Sequence, residues 1–170
     1  MKRVMIVGCS GAGKSTLARR LARLTDLPVT HLDQIYWTPG WITRPREETR
    51  RLIEEVVQGD RWIFEGNHSS SFGLRVARAD TVIFLDFPIP LCLWRVVKRV
   101  ITHFGRVRPD MAEGCPEGID WVFLRWIMGY RGNLRPEILE MIDGAPAHVT
   151  VHRLTGPAAV DAFVAGMEQP

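Results

Sequence analysis

Short apolar runs alternate with longer amphipathic stretches along this chain. Each apolar run has the length and the β-branched or aromatic content of a buried strand. The predicted strands cover residues 2–7, 29–32, 61–65, 81–86 and 147–151. Strands that alternate with helices are typical of a parallel sheet covered by helices on both faces. The pattern therefore predicts an α/β fold built on a five-stranded parallel sheet.

The stretches between these strands place apolar residues at the three- and four-residue spacing of one helix face. The predicted helices cover residues 14–24, 45–57, 91–103, 119–130, 136–142 and 158–167. Residues 104–118 show neither period and contain glycines, prolines and both signs of charge. A chain of 170 residues is long enough for one substantial core but short for two. We expect a single domain over residues 1–170, with residues 104–118 as a small lid insert.

The loop after the first predicted strand reads Gly8-Cys9-Ser10-Gly11-Ala12-Gly13-Lys14-Ser15 and fits the P-loop pattern G-x-x-x-x-G-K-[ST] at each required position. Its glycines allow successive backbone N–H groups to point inward at the start of a helix, which creates an anion-binding nest. We expect Lys14 to reach the outer phosphates of ATP and the Ser15 hydroxyl to ligate Mg²⁺. The predicted ATP-binding residues are Gly8, Ser10, Gly11, Ala12, Gly13, Lys14, Ser15 and Thr16. Thr16 fits an ordinary first-turn helix position equally well.

Three acidic residues, Asp33, Glu65 and Asp86, end predicted strands. The carboxyl ends of parallel strands face the ligand crevice, so each is a candidate for phosphoryl-transfer chemistry. Asp33 either takes a proton from an acceptor hydroxyl or holds Mg²⁺ through water, unless it caps the following turn. Glu65 and Asp86 are candidates for supporting the metal, and the alternative for Glu65 is to cap its loop.

Aromatic and basic side chains supply further candidates. Tyr36, Trp37 and Trp41 follow the second predicted strand and either stack on a flat acceptor or cover the core. Arg95 and Arg99 lie four residues apart on one predicted helix, hence on one face. They either neutralise charge on a transferring phosphoryl group or belong to a solvated basic face.

Composition indicates the cellular location of the protein more clearly than the reaction that it catalyses. A net charge of +3 is compatible with a phosphate-rich small ligand or with nucleic acid and does not choose between them. The three cysteines are scattered, which favours reduced thiols. The chain contains no apolar run of membrane-spanning length, and Met1-Lys2-Arg3 leads directly into the first predicted strand. We expect a cytoplasmic protein, monomeric or homodimeric, that is not bound to a membrane.

Several segments together resemble the bacterial topology modulation proteins, small P-loop proteins similar to adenylate kinases and other nucleoside and nucleotide kinases. The resemblance covers nearly the whole chain and is carried by residues 8–15, 31–33, 62–67, 79–86 and 108–117, of which Gly114-Cys115-Pro116-Glu117 is the most specific to this group. It implies an adenylate-kinase-like fold, ATP with Mg²⁺ and a mobile lid. By position, it implies catalytic roles for Lys14, for Arg95 and Arg99 near the lid hinge, and for Arg125 on the helix after the lid.

One element departs from the adenylate kinases. They carry Asp-Gly-Phe-Pro-Arg at the end of the third strand, whereas this chain has Glu65-Gly66-Asn67-His68. The clamp for a nucleoside monophosphate is therefore not matched. Asp33 and its aromatic neighbours resemble instead the acceptor-binding acid of kinases that phosphorylate a hydroxyl.

Three functions remain open at this point. The lid insert and Asp33 favour an ATP- and Mg²⁺-dependent phosphotransferase that acts on a small acceptor such as a nucleoside or nucleotide, with Lys14, Asp33, Arg95, Arg99 and Arg125 as catalytic residues. The second is an NTP-dependent regulator of DNA topology, although the chain carries no nucleic-acid-binding motif. The third is a nucleotide-binding sensor with little turnover.

Overall fold

A computed structural model describes residues 1–168. The strands are β1 (Arg3–Gly8), β2 (Val29–His31), β3 (Trp37–Thr38), β4 (Ile42–Thr43), β5 (Trp62–Glu65), β6 (Thr81–Leu85) and β7 (Thr150–Leu154). Five of them form one parallel sheet in the order β2-β5-β1-β6-β7, whereas β3 and β4 form an antiparallel hairpin. The predicted five-stranded parallel sheet is confirmed.

Eight α-helices occur in the described part of the chain. They are α1 (Lys14–Thr25), α2 (Leu32–Tyr36), α3 (Arg46–Gln58), α4 (Phe72–Arg78), α5 (Ile89–His103), α6 (Trp121–Gly129), α7 (Leu134–Asp143) and α8 (Pro157–Glu168). A 3₁₀ turn at Ser69–Ser71 precedes α4. The helix α4 was not predicted, because the three serines before it indicate a solvated loop. None of the helices within residues 1–168 combines the length and apolarity needed to cross a bilayer.

The central strands are buried on both faces of the sheet. Val4, Met5, Ile6 and Val7 of β1 are all fully buried, although successive strand residues point to opposite faces. Helices therefore cover both faces, which explains the near-continuous apolar runs in β1 and β6. Because all five strands run in one direction, their carboxyl ends meet along a single edge.

The second strand is shorter than predicted. It pairs with β5 up to His31 opposite Glu65, and β5 itself ends there. With no further partner for the ladder, the chain enters α2 at Leu32. Asp33 therefore lies in the first turn of a short helix rather than at the end of a strand.

The last strand is displaced from its predicted position at residues 147–151. The backbone N–H of Val149 donates to the carbonyl of Pro146 at 2.9 Å and closes a turn there. Pairing with β6 begins only at Thr150, opposite Thr81, and continues to Leu154. Apolar content alone did not reveal this turn.

Residues 104–118, hereafter the insert, follow α5 and contact the β3–β4 hairpin. Phe104 bridges to Glu117 at the base of the insert. Met111, Ala112 and Cys115 form a small separate apolar cluster with Trp37. The Gly40 N–H also donates to the Gly114 carbonyl at 2.9 Å. The insert is therefore packed against one wall of the cleft described below.

Candidate functional site

A cleft of about 1580 Å³ opens along the carboxyl edge of the sheet. One end is bounded by the loop between β1 and α1, and the other by α2, the β3–β4 hairpin and the insert. This is the edge at which ligands bind in open parallel sheets. All the predicted loop residues from Ser10 to Thr16 line it.

The glycine loop packs too closely for larger residues. Gly8 has φ 146°, and a Cβ atom there would lie 2.6 Å from the Leu85 carbonyl oxygen. Gly11 has φ 85°, and its Cβ would overlap the carbonyl oxygen of Cys92. No side chain caps the start of α1, so first-turn N–H groups are available to an anion. The loop is thus shaped as a phosphate nest.

Lys14 lies across this loop. Its Nζ atom donates to the carbonyl oxygens of Gly8 at 3.1 Å and Cys9 at 3.3 Å. The ammonium group is therefore held beside the nest by neutral carbonyl oxygens, without a carboxylate partner among these contacts.

Ser15, Glu65 and His31 form a chain of hydrogen bonds. The Ser15 hydroxyl donates to Glu65 Oε1 at 3.0 Å, and His31 Nδ1 lies 2.7 Å from the same oxygen. Glu65 and His31 are both buried. The pattern of strand ends predicted Glu65 but not His31, since one strand residue gives no sign of its cross-strand partner.

Asn67 is a second residue that sequence reasoning missed. Its side-chain amide donates to the Gly8 carbonyl at 2.6 Å and accepts from the Gly8 N–H at 3.1 Å. Beside it, Gly66 has φ 126° and packs against Leu32 so closely that a Cβ would lie 2.5 Å from Leu32 Cβ. Asn67 therefore fixes the first residue of the phosphate loop from the end of the neighbouring strand.

Asp33 faces the cleft opposite the loop. Its side chain is accessible from the cleft but is crowded by protein on its other sides. This desolvation raises the pKa of the carboxyl group, and the charge of Glu65 raises it further, while Lys14 and Arg108 act in the opposite direction. A carboxylate with a raised pKa is a better proton acceptor than an ordinary aspartate.

Aromatic side chains form the wall beside Asp33. Tyr36, Trp37 and Trp41, hereafter the aromatic wall, meet edge to face, with ring centroids 4.9 Å apart for Tyr36 and Trp37 and 5.5 Å for Trp37 and Trp41. Trp41 has φ 61°, which is unusual for a bulky residue. Its indole Nε1 donates to the Pro116 carbonyl at 3.2 Å. The wall is thus exposed to the cleft and also covers the small cluster under the insert.

Two predicted arginines reach the cleft from α5. Arg95 donates to the Ala12 carbonyl of the loop at 3.3 Å. Arg99 Nε lies 3.1 Å from Glu117 Oε1 of the insert. Burial lowers the pKa of Arg99, as does the nearby charge of Arg108, although Glu117 opposes this.

The insert contributes a carboxylate that the sequence did not identify as part of the site. Asp110 is buried and pairs with Arg108, which also donates to Glu117. Burial raises the pKa of Asp110, but the charge of Arg108 and the neighbouring Ser15 outweigh it and hold the pKa below the usual value. Asp110 therefore lies beside the Ser15 hydroxyl in surroundings that favour its ionised form.

Two predicted residues do not join the site. Both oxygens of Asp86 accept from Arg135, each at 2.9 Å, and Oδ2 also accepts from Arg153 at 2.6 Å. With its oxygens occupied, Asp86 does not fit the role of a metal ligand that its strand-end position indicated. Arg125 is exposed on α6 and does not line the cleft, so its position does not fit the catalytic role that the resemblance implies.

The donor atoms beside the loop suit Mg²⁺. The hydroxyl of Ser15 and the carboxylates of Glu65 and Asp110 are hard oxygen ligands. Within residues 1–168 no group of three or more histidine, cysteine, aspartate or glutamate side chains is arranged to hold a metal ion by itself. Magnesium usually keeps several waters and binds through one or two protein groups together with substrate phosphates, and the donor set beside the loop fits that mode.

Comparison with protein families and with known sequences does not assign the chain to a family. No family model matches the chain. It is 30% identical over 89 residues to the ATP-dependent protease ATPase subunit HslU of Cytophaga hutchinsonii. The matched segment makes up 51% of this chain and 18% of that protein. The chain thus spans less than a fifth of the length of this relative.

Solved structures are similar over almost the whole chain. Shikimate kinase from Acinetobacter baumannii in complex with shikimate has a TM-score of 0.59 at 20% identity. This match covers 99% of this chain and 92% of the shikimate kinase chain. Shikimate kinase from Bacteroides thetaiotaomicron has a TM-score of 0.60 at 15% identity, with coverages of 99% and 96%. A gluconokinase from Sinorhizobium meliloti 1021 has a TM-score of 0.55 at 15% identity, with coverages of 99% and 92%. The chain therefore has the adenylate-kinase-like P-loop kinase fold.

Proposed function

We propose that this protein is a kinase that moves the γ-phosphoryl group of ATP to a small acceptor in a Mg²⁺-dependent reaction. One observation carries the proposal: the glycine loop with Lys14 and Ser15 opens onto the same cleft as Asp33 and the aromatic wall. A donor end and an acceptor end therefore share one cavity. The fold shared with shikimate kinases and a gluconokinase supports this class of reaction, although fold alone does not decide function.

At the donor end, the loop amides and Lys14 bind the ATP phosphates. Lys14 exchanges its bonds to the Gly8 and Cys9 carbonyls for phosphate oxygens. The ATPase relative, matched over part of the chain, agrees with ATP as the donor. Arg95 and Arg99 extend the positive charge along α5 toward the transferring group.

Ser15 and Glu65 are the proposed magnesium residues. Ser15 ligates the ion, and Glu65, oriented by His31, positions its bound water. When bound, Mg²⁺ neutralises charge on the ATP phosphates. Asp110 adds a further negative group on the side of the insert.

At the acceptor end, Asp33 takes the proton of the acceptor hydroxyl. As that oxygen forms its bond to the γ-phosphorus, the bond from phosphorus to the bridging oxygen breaks and ADP leaves. The aromatic wall supplies an apolar surface for a flat or ring-shaped acceptor such as a nucleoside. A raised pKa suits Asp33 to this role.

We further propose that the insert acts as a lid within a single-domain protein. It brings Arg108 and Asp110 to the cleft and closes on the aromatic wall. Exclusion of water by such a segment protects ATP from hydrolysis. Membership among the topology modulation proteins and a cytoplasmic location are part of the same proposal.

The test is ³¹P NMR of the protein with Mg·ATP and one acceptor at a time, drawn from nucleosides, nucleoside monophosphates and small alcohols. A new phosphoester or diphosphate signal that depends on one acceptor is expected. The signal should vanish in Asp33→Asn and persist in the matched control Asp60→Asn, because Asp60 is exposed in the turn between α3 and β5.

Two results would count against the proposal. If ATP stays intact with every acceptor, or yields only slow inorganic phosphate, a regulator or sensor function is favoured. DNA binding that weakens steeply between low and physiological salt would then identify the regulator, because contacts to the phosphate backbone release counterions.

A further inference from the structure

The helix α5 has one side that is both apolar and exposed to solvent. Its inner side, with Cys92 and Val96, is fully buried against the core. Its outer side carries four large side chains, hereafter the α5 stripe. They are Trp94, Val97, Ile101 and, directly after the helix, Phe104, with exposed fractions of 58%, 44%, 73% and 65%.

The spacing of the stripe is that of a helix–helix seam. The four residues follow one another at intervals of three, four and three. At 100° per residue they occupy an arc of about 80° on the helix surface. So narrow a stripe is typical of a seam packed against another helix. A helix that lies on a membrane presents a broader apolar face.

The stripe is also symmetric about its own centre. The intervals read the same in both directions, so a second copy of α5 that runs antiparallel matches the first about an axis at position 99. In that arrangement Val97 of one copy meets Ile101 of the second copy. Trp94 meets Phe104 in the same way at each end. A surface that complements itself under a twofold rotation is the requirement for an isologous dimer.

The exposed area is of the size that a dimer needs. With roughly 150–250 Å² per aromatic side chain, the stripe exposes on the order of 500 Å² in each copy. Two copies supply on the order of 1000 Å² before any rim is counted, close to the lower end for specific interfaces. The rim includes Lys98, whose ammonium lies 5.1 Å from the Trp94 ring. It also includes the exposed Trp121 and Val122 of α6, which packs against α5.

We propose that the protein forms a homodimer through the α5 stripe, with the two α5 helices antiparallel. This proposal does not depend on the proposed catalytic function. It has a consequence for the cleft, because the same helix carries Arg95, which contacts the phosphate loop, and Arg99, which contacts the insert. The dimer thus holds in place the element that joins loop and insert.

Sedimentation velocity tests the proposal on the full chain. The wild-type protein is expected to sediment as a dimer of two 19.3 kDa chains. Ile101→Glu buries a charge at the centre of the seam and should weaken dimerisation by about thirtyfold or more. Leu74→Glu is the matched control, since Leu74 is also an exposed apolar residue but lies on α4. Val97→Glu is a second seam variant, and a thermal melt shows whether each variant is folded.

Cysteine pairing tests the direction of the helices. The native cysteines are free and buried, so new surface thiols can be oxidised selectively. Val97→Cys and Ile101→Cys proteins, mixed and treated with a mild oxidant, should form a linked heterodimer, whereas each alone should not link. Linkage of each variant to itself indicates parallel helices and overturns the proposed arrangement.

Other outcomes overturn the dimer itself. A wild-type monomer at all concentrations does so, as does a dimer that Ile101→Glu and Val97→Glu leave intact. Monomeric protein that cosediments with phosphatidylglycerol vesicles, and loses this in Ile101→Glu, assigns the stripe to a lipid surface instead.

Discussion

His31 and Glu65 end two adjacent strands, and their side chains meet at 2.7 Å between Nδ1 and Oε1. Both are buried, and the same carboxylate oxygen accepts from the Ser15 hydroxyl. The imidazole therefore fixes the position of the carboxylate that faces the phosphate loop. Such outer partners of metal-supporting groups typically affect metal affinity or activity by about 10–100-fold.

Replacing the imidazole should show in the magnesium requirement. His31→Phe leaves the buried Glu65 without its imidazole partner, so activity at limiting Mg²⁺ should fall by about 10–100-fold and recover in part at high Mg²⁺. The measurement is initial rate against Mg²⁺ concentration at saturating ATP. His31→Gln, which retains an N–H donor, should recover part of the loss, and His148→Phe at an exposed site should change nothing. An unchanged magnesium curve for His31→Phe contradicts the proposed role.

The pH dependence of the reaction should report Asp33. Desolvation by the surrounding protein and the charge of Glu65 raise its pKa, and the deprotonated form is the one that accepts a proton. Activity should therefore fall as the pH is lowered through this raised pKa, at a higher pH than for an ordinary aspartate. Profiles of kcat/KM against pH test this. Asp33→Asn should lower the rate by about 10²–10⁴-fold and abolish that limb while ATP still binds. Persistence of the limb in Asp33→Asn assigns it to another group.

Two Gly→Ala changes separate the loss of stability that a steric overlap causes from the loss that backbone strain causes. Gly11 and Gly40 have nearly the same φ, 85° and 81°, but a Cβ at Gly11 overlaps the Cys92 carbonyl whereas one at Gly40 meets nothing within 4 Å. Gly40→Ala should cost about 1–2 kcal/mol of unfolding free energy. Gly11→Ala should cost more and also abolish ATP binding. Chemical denaturation and nucleotide titration check this, and equal effects of the two changes would falsify the steric account.

Asp86 should prove structural. Burial alone raises its pKa, but Arg135 and Arg153 outweigh this and hold it below the usual value. A depressed folded-state pKa stabilises the fold above the unfolded-state pKa, and this contribution is lost as the pH falls through the folded-state value. Asp86→Asn should thus lower the free energy of unfolding by about 1–3 kcal/mol at neutral pH. The difference in this free energy between variant and wild type should shrink below about pH 4. Urea melts at several pH values measure it. A raised magnesium requirement in this variant would instead restore the metal role.

The phosphate loop was predictable because everything that it needs is local. The glycines, Lys14 and Ser15 lie within eight consecutive residues that run from the last residue of a strand into the first turn of a helix. The five-stranded parallel sheet followed from the alternation of strand and helix patterns. The rule that strand ends face the crevice predicted that Asp33 and Glu65 lie at the cleft, and both line it, although Asp33 lies in the first turn of a helix.

The remaining contacts depend on register and on segments far apart in the chain. Asn67 meets Gly8 across 59 residues, and Asp110 reaches Ser15 only because the insert folds back over the cleft. The strand-end rule predicted that Asp86 supports a metal ion, because the rule places this carboxylate at the edge of the sheet. It does not reveal that Arg135 and Arg153 occupy the carboxylate oxygens. Arg125 was assigned by position, and its helix turns that residue outward.

The insert is fastened to both ends of the cleft. Gln34 and Trp41 donate to its Pro109 and Pro116 carbonyls on the acceptor side. Glu117 faces Arg99 on the donor side. A movement of the insert that admits one ligand therefore disturbs the contacts that frame the other. If the insert is a lid, as proposed, occupancy of the two ends is expected to be thermodynamically linked, and by reciprocity each ligand then changes the dissociation constant of the other by the same factor.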